Sequence, residues 1–304
     1  MTRLSVIGVP NSLGSYAAGQ DLAPAAFRAA GLVPMLAHAG VDVVDAGDLP
    51  VQVWRPDREH PLAQNADDVA ASLAELTRRL QPLVTEGRAV LVIGGNCTIA
   101  LAAIAALAAT NSGPPGLLYI DRQFDLNTPE TTTDGALDWM GMAHALALPG
   151  CVESIVNVFD RRPLLQPDQV AWVGVQEDIA TQWERDQATR LQLQVTTSDE
   201  LAAAPADAVR RALATLPQGP LAIHLDVDVL DFTDAPLAEN TDGRNTGPSL
   251  AQVGVALSVA ASDPRARVLT VGELNPTRSA GDPSVIPRFL DILVAVLAQL
   301  ATAK

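Results

Sequence analysis

The chain has 304 residues, with 35 acidic against 20 basic side chains, a formal net charge of −15 with neutral histidines, and 48% hydrophobic residues. That balance leaves no basic stripe for a phosphate backbone or an anionic bilayer, so neither nucleic acid nor membrane is an expected partner. The apolar share is ample for the core of an α/β protein, and a single domain over residues 1–304 is expected.

The first residues, MTRLSVIGVP, run straight into a strand pattern without the apolar stretch of a leader. No segment reads as an uninterrupted apolar run of bilayer length, so a cytoplasmic location is expected. Eight apolar or β-branched runs follow one another at 4–9, 41–47, 89–95, 116–121, 170–175, 191–197, 221–230 and 267–274. Helical spacing fills the intervals at 23–38, 64–86, 98–109, 139–148, 180–190, 199–215, 249–261 and 284–302. Alternation of this kind predicts a three-layer α-β-α fold with a mostly parallel eight-stranded sheet, whose ligands bind beyond the strands' carboxyl ends. Two polar segments, 121–135 and 231–249, are long enough to be functional loops over such a site. Of the two cysteines, Cys97 and Cys151, neither is expected in a disulfide in a reducing compartment.

Both loops follow strands that end in aspartates: Asp121 and Asp125 in YIDRQFD, Asp226 and Asp228 in HLDVDVLD. Strand alternation predicts that Asp226 and Asp228 share one side of an extended segment. Carboxylates gathered at strand ends repel one another unless a cation or protons intervene, so a metal site is the expected function of the cluster. Either pair by itself could be a turn or a helix cap, and Asp231 reads as a turn residue.

Six motifs in order, VIGVPNSLGSYAAGQDLAP, DAGDLP, VIGGNCT, DRQFDLNTPETTTDG, LDVDVLD and GELNP, make the chain resemble the ureohydrolase superfamily of arginase, agmatinase and formimidoylglutamase almost from end to end. The resemblance implies the arginase-like fold, homotrimers or homohexamers, a divalent metal, manganese by likeness, and a small guanidino-type substrate. It carries metal-ligand positions onto Cys97, Asp121, Gln123, Asp125, Asp226 and Asp228. Cys97 and Gln123 stand where the family has histidines, so one ion is expected rather than two. A thiolate suits zinc or iron better than manganese, and a metal-free cluster stays open. Cys97 can equally be a buried small residue, Gln123 a hydrogen-bonding group, and Arg122 either a solvent-facing side chain or a cation turned toward Asp121 or Asp228.

By the same resemblance Asp125 orients the attacking water and takes up a proton, Glu273 holds the guanidinium, and Asn127, Thr132 and Asp134 meet the substrate's far end. Asp134 replaces a serine there and would repel a carboxylate, which disfavours free arginine. Asp138 stands at the position of a proton-shuttling histidine and relays protons only if its pKa is raised; its alternative role is a helix cap. Gln176-Glu177-Asp178 replaces an expected Arg-Asp pair, leaving amino-group recognition unsupported. His38 and His60 read as surface residues, and His144 sits on a predicted helix. His224 is either a donor to a metal-bound carboxylate or a satisfied core histidine.

The expected function is hydrolysis of a linear C–N bond in a guanidino or formimino compound by metal-activated water. A catalytically silent homologue that binds a small ligand or a partner subunit is the alternative. A metal-independent hydrolase with Cys97 as nucleophile is the third.

Overall fold

The structure, a computed structural model, describes residues 2–240 and 245–302, so 241–244 of the second polar loop lie outside the described residues. The eight predicted strands form: β1 (Thr2–Gly8), β2 (Val41–Asp48), β3 (Ala89–Ile93), β4 (Gly116–Ile120), β5 (Val170–Val175), β6 (Gln194–Thr197), β7 (Leu221–Asp226) and β8 (Ala266–Gly272). They make one sheet in the order β2-β1-β3-β8-β7-β4-β5-β6 with every pairing parallel. Runs such as AVLVI in β3 and GLLYI in β4 suit strands covered on both faces, and both are buried throughout.

In chain order the helices are α1 (Ala23–Ala29), α2 (Leu32–His38), α3 (Ala66–Thr85), α4 (Ile99–Ala108), α5 (Gly141–Ala145), α6 (Glu153–Val156), α7 (Gln182–Leu191), α8 (Ser198–Ala203), α9 (Pro205–Thr215), α10 (Leu250–Ala261) and α11 (Val285–Thr302). Alternation along the strands divides the core in two. Leu118 and Ile120 of β4 pack with Phe27, Leu36, Leu201, Val209, Leu257 and Phe289, so α1, α2 and α8 to α11 cover one face. Leu117 and Tyr119 of the same strand pack with Leu73, Ile104, Met142 and Ile155 of α3 to α6 on the other.

Several predicted boundaries move. The helix expected over 23–38 breaks at Gly31, whose φ of 97° is left-handed, and that over 199–215 breaks at Ala204, ahead of Pro205. The helix expected over 139–148 is a 3-10 turn, Asp138–Met140, followed by the short α5. The strand expected over 221–230 ends at Asp226, and Val227–Val229 is a 3-10 turn. By length and composition α11 is apolar enough to cross a membrane, but Arg288 and Asp291 interrupt its run, so it is not an uninterrupted apolar segment. Its Phe289, Leu293, Val296 and Leu300 are buried in the core.

The register positions the site. β3, β8, β7 and β4 are central neighbours, Leu225 pairs with Ile120, and Asp226 pairs with Gly272. Asp121, Asp226 and Glu273 therefore leave the sheet at one level, on its carboxyl edge. Next to β4, the wholly buried Trp172 of β5 donates its indole N–H to the Phe124 carbonyl at 3.1 Å, fixing the loop just before Asp125. Trp172→Phe retains most of the ring but leaves that carbonyl without its donor. Urea unfolding is expected to register a loss of about 1–3 kcal/mol; equal midpoints would mean that the bond stabilises nothing.

Candidate functional site

β3 hands the chain to the site through Gly94 and Gly95, with φ of 91° and 85°. A Cβ on Gly94 would lie 2.7 Å from Pro24 Cδ and 2.8 Å from the Val9 carbonyl, so this turn requires glycine. It delivers Cys97, whose N–H donates to Glu273 Oε1 at 3.0 Å and whose thiol lies 2.9 Å from Asp226 Oδ2 and 3.7 Å from Asp121 Oδ2. At the end of β4, Asp121 Oδ1 accepts the Gln123 N–H at 2.7 Å.

At the end of β7, Asp226 Oδ1 accepts the Asp228 N–H at 2.7 Å and caps the 3-10 turn. This corrects the expected alternation: Asp226 and Asp228 come together because the chain curls, not because it stays extended. Carboxylate oxygens of Asp121, Asp226 and Asp228 lie within 4.8 Å of one another, as do donor atoms of Cys97, Asp226 and Glu273.

Asp125 and Glu273 have φ of 54° and 62°, a region costly for side chains other than glycine and common where a fold over-determines a functional residue. The Asp125 carbonyl accepts the Met142 and Ala143 N–H groups at the start of α5, both at 3.0 Å, and its carboxylate accepts the Tyr119 hydroxyl. Glu273 donates its N–H to the Gly95 carbonyl at 2.9 Å and accepts the Gln20 side-chain amide. A cavity of about 10 Å³ lies among Cys97, Asp125, Asp226, Asp228 and Glu273 and is also lined by Tyr16, Gln123, Asp138, Trp139 and Asn240. Its volume is that of about one water.

Burial pushes the carboxyls of Asp121, Asp125, Asp226 and Glu273 well above the ordinary range, and like-charged neighbours push further: Asp228 on Asp121, Asp121 on Asp125, Asp228 on Asp226, and Asp138 on Glu273. Asp228 is also raised by burial, opposed by the Arg122 charge and by hydrogen bonds from Gln123 and Asn240. Arg122 is turned inward and buried; its Nη1 donates to the Asp228 carbonyl at 3.4 Å, and among the described residues it makes no ion pair with Asp121 or Asp228 within 4.0 Å. Cys97 and Cys151 are both free. Burial and then Asp226 hold the Cys97 thiol well above its usual value, which argues against Cys97 as a nucleophile.

The residues read as contacts for the substrate's far end stand apart from this cavity. Asn127 Oδ1 accepts the hydroxyls of Thr131 and Thr181 at 3.0 and 2.9 Å. Asp134 accepts the Trp139 indole N–H at 3.1 Å and the Ala136 N–H at 3.0 Å, and Thr132 Oγ1 is buried without a partner. Sequence reasoning missed Tyr16, Gln20, Tyr119 and Asn240. Tyr119, two residues before Asp121 on a strand, was the one with a visible signal.

A model of the Arginase family matches residues 2–286. The chain belongs to the arginase family. The arginase of Brevibacillus brevis is 30% identical over 236 residues, 77% of this chain and 78% of that protein. The crystal structure of Bacillus subtilis arginase superimposes with a TM-score of 0.83 at 26% identity, covering 99% of each chain. A variant of Trypanosoma cruzi formiminoglutamase solved with Mn²⁺ shares the fold at 17% identity, with a TM-score of 0.76 over 100% of this chain and 94% of that one.

Arginase-family proteins usually bind a divalent metal, typically manganese. The oxygens of Asp121, Asp226 and Asp228 suit such a hard cation, and Asp228 Oδ1 is buried without a hydrogen-bond partner among the described residues. In this arginase-family chain Gln123 hydrogen-bonds the Asp228 carboxylate, and the donor atom of Asp125 lies outside the converging sets.

Asp138 begins its 3-10 turn, faces the cavity, and accepts the Trp139 N–H at 3.0 Å. Burial, and next Asp134, raise its pKa to about 8. The folded chain thus holds this proton more tightly than the unfolded chain, where an aspartate titrates near about 3.9. The associated stability is full below that lower value and is lost as pH rises toward the higher one. Relative to Asp138→Asn, the wild type is expected to lose on the order of 5 kcal/mol between about pH 4 and pH 8. Urea midpoints measured across that interval check it, and parallel profiles would sink the assignment.

Proposed function

We propose that the protein is a hydrolase that cleaves a linear C–N bond in a guanidino or formimino compound other than free arginine. The observation that carries this reading is the meeting of five buried acids from three neighbouring strand ends: Asp125, Asp226, Asp228 and Glu273 line one cavity, and Asp121 converges on Asp226 and Asp228 beside it. One divalent cation held by the Asp121, Asp226 and Asp228 cluster would lower the pKa of a bound water toward neutrality.

The remaining work belongs to side chains. Glu273, held by the Cys97 N–H and Gln20, offers a carboxylate whose ionised form a cationic guanidinium would favour. Asp125, in contact with the Tyr119 hydroxyl and ionised once a bound cation offsets the Asp121 charge, would take up the proton released as water adds to the amidine carbon. Asp138, with a pKa of about 8, holds a proton near neutral pH and can return it to the departing amine. Asp134, beside Asp138, adds negative potential where a substrate carboxylate would approach, which supports a cationic or neutral tail. Asn127 and Thr132 complete that end of the proposed pocket through the loop that carries them.

A second reading, a catalytically silent member that binds a small ligand or partner, is favoured by the narrowness of the cavity under Trp139 and by the buried Arg122 charge. Protein loaded with Mn²⁺, Zn²⁺, Fe²⁺ or Ni²⁺ and offered a panel of guanidino and formimino compounds separates the two. Release of urea, formamide or ammonia is expected, with Asp125→Asn lowering kcat by about 10²–10⁴-fold. Metal uptake without product from any compound would replace the hydrolase with the silent reading. Light scattering tests the proposed homotrimer or homohexamer.

A further inference from the structure

We propose that Cys97 Sγ, a carboxylate oxygen of Asp121 and His224 Nε2 form a mixed sulfur, oxygen and nitrogen seat for a zinc-class cation at the floor of the acidic cluster. The proposal rests on the cluster being a cation site and goes beyond it by adding a nitrogen ligand and naming the class of ion. Donor atoms of these three residues lie within 4.8 Å of one another, and all three side chains are buried.

His224 is the observation that points to a ligand. Its Nδ1 lies 2.7 Å from Thr270 Oγ1, while the Thr270 hydroxyl reaches the Ile223 carbonyl at 3.4 Å. With that hydroxyl donating to a carbonyl, its oxygen accepts from Nδ1–H, and Nε2 is left with a lone pair. This nitrogen is wholly buried with no hydrogen-bond partner among the described residues. The ring is also held: it stacks on Tyr119 with centroids 4.8 Å apart and planes 18° apart, and a Cβ on Gly272 would come within 3.3 Å of its Cε1. An imidazole fixed through Nδ1, with Nε2 free and a thiol and a carboxylate within 4.8 Å of a ring nitrogen, has the arrangement of a metal ligand.

The donor set selects the ion. Thiolate and imidazole favour zinc or cobalt over manganese, and three protein ligands leave a fourth position open, as in catalytic zinc sites. Charge balances as well. A thiolate, a carboxylate and a neutral imidazole cancel a doubly charged cation, so a neutral unit is buried once the Cys97 proton leaves. Asp121 belongs both to this set and to the oxygen triad of Asp121, Asp226 and Asp228, so the same ion can sit in either seat. Sulfur and nitrogen draw zinc to the deeper one.

The test uses the full chain, stripped with a chelator and titrated separately with Zn²⁺, Co²⁺ and Mn²⁺, followed by calorimetry and absorption spectroscopy. The Co²⁺ form is expected to display thiolate-to-cobalt charge transfer in the near ultraviolet, which Cys97→Ser abolishes. His224→Gln is expected to weaken Zn²⁺ by about tenfold or more while leaving Mn²⁺ within about twofold, so the preference between the ions narrows. Cobalt binding without the sulfur band, or a His224→Gln variant with unchanged Zn²⁺ affinity, overturns this seat and leaves the oxygen-held cation standing. Failure of all three ions to bind overturns both. The near-isosteric Cys97→Ser keeps the outcome decisive if His224→Gln does not fold.

Discussion

Repulsion among buried acids is the constraint that organises this molecule. Asp121, Asp226 and Asp228 converge with almost no exposure to water, where like charges interact far more strongly than in solution. Each carboxylate is partly compensated locally: Asp121 by the Gln123 amide, Asp226 by the Asp228 amide, and Asp228 by Asn240 and the Arg122 charge. What these donors leave unmet must be met by protons or by a cation. The raised pKa values of the cluster and its capacity for a metal are two expressions of one electrostatic deficit.

The fold sustains that deficit because its carriers hang from a wholly parallel, doubly covered sheet. Strand pairing fixes Asp121, Asp226 and Glu273 at one height, and backbone ties from Glu273 to Gly95 and from Asp125 to α5 prevent the acids from swinging apart. The left-handed conformations of Asp125 and Glu273 are tolerated for the same reason: hydrogen bonds on both sides leave the backbone no alternative.

Much of this was legible in the chain. Val- and Leu-rich runs announced strands covered on two faces, and the aspartates at the ends of two of them do converge in one buried cluster. The geometry between segments was not legible. Nothing in YID or LDVD says that the two strands are neighbours in register; that follows from the sheet order. The DVD triplet reads as alternation, yet the Asp226 carboxylate captures the amide two residues on and bends the chain. Gln20 gave no signal because its partner Glu273 is 253 residues away. Asn127 and Asp134, matched by resemblance alone, have side-chain oxygens already engaged by Thr131, Thr181, Trp139 and Ala136. Gly31 and Ala204 broke predicted helices because single backbone conformations outweigh the propensity of the alanines around them.

The place of β8 in the strand order governs how the protein comes into being. Made from residues 266–272, it is the strand that joins β2-β1-β3 to β7-β4-β5-β6. A nascent polypeptide can pair each half-sheet earlier, but the contact between Cys97 and Glu273, 176 residues apart, waits for the last strand to leave the ribosome and slot between two waiting edges. Until then Asp121, Asp226 and Asp228 stand on one half-sheet and Cys97 on the other, and the wall of the pocket that Glu273 supplies is missing.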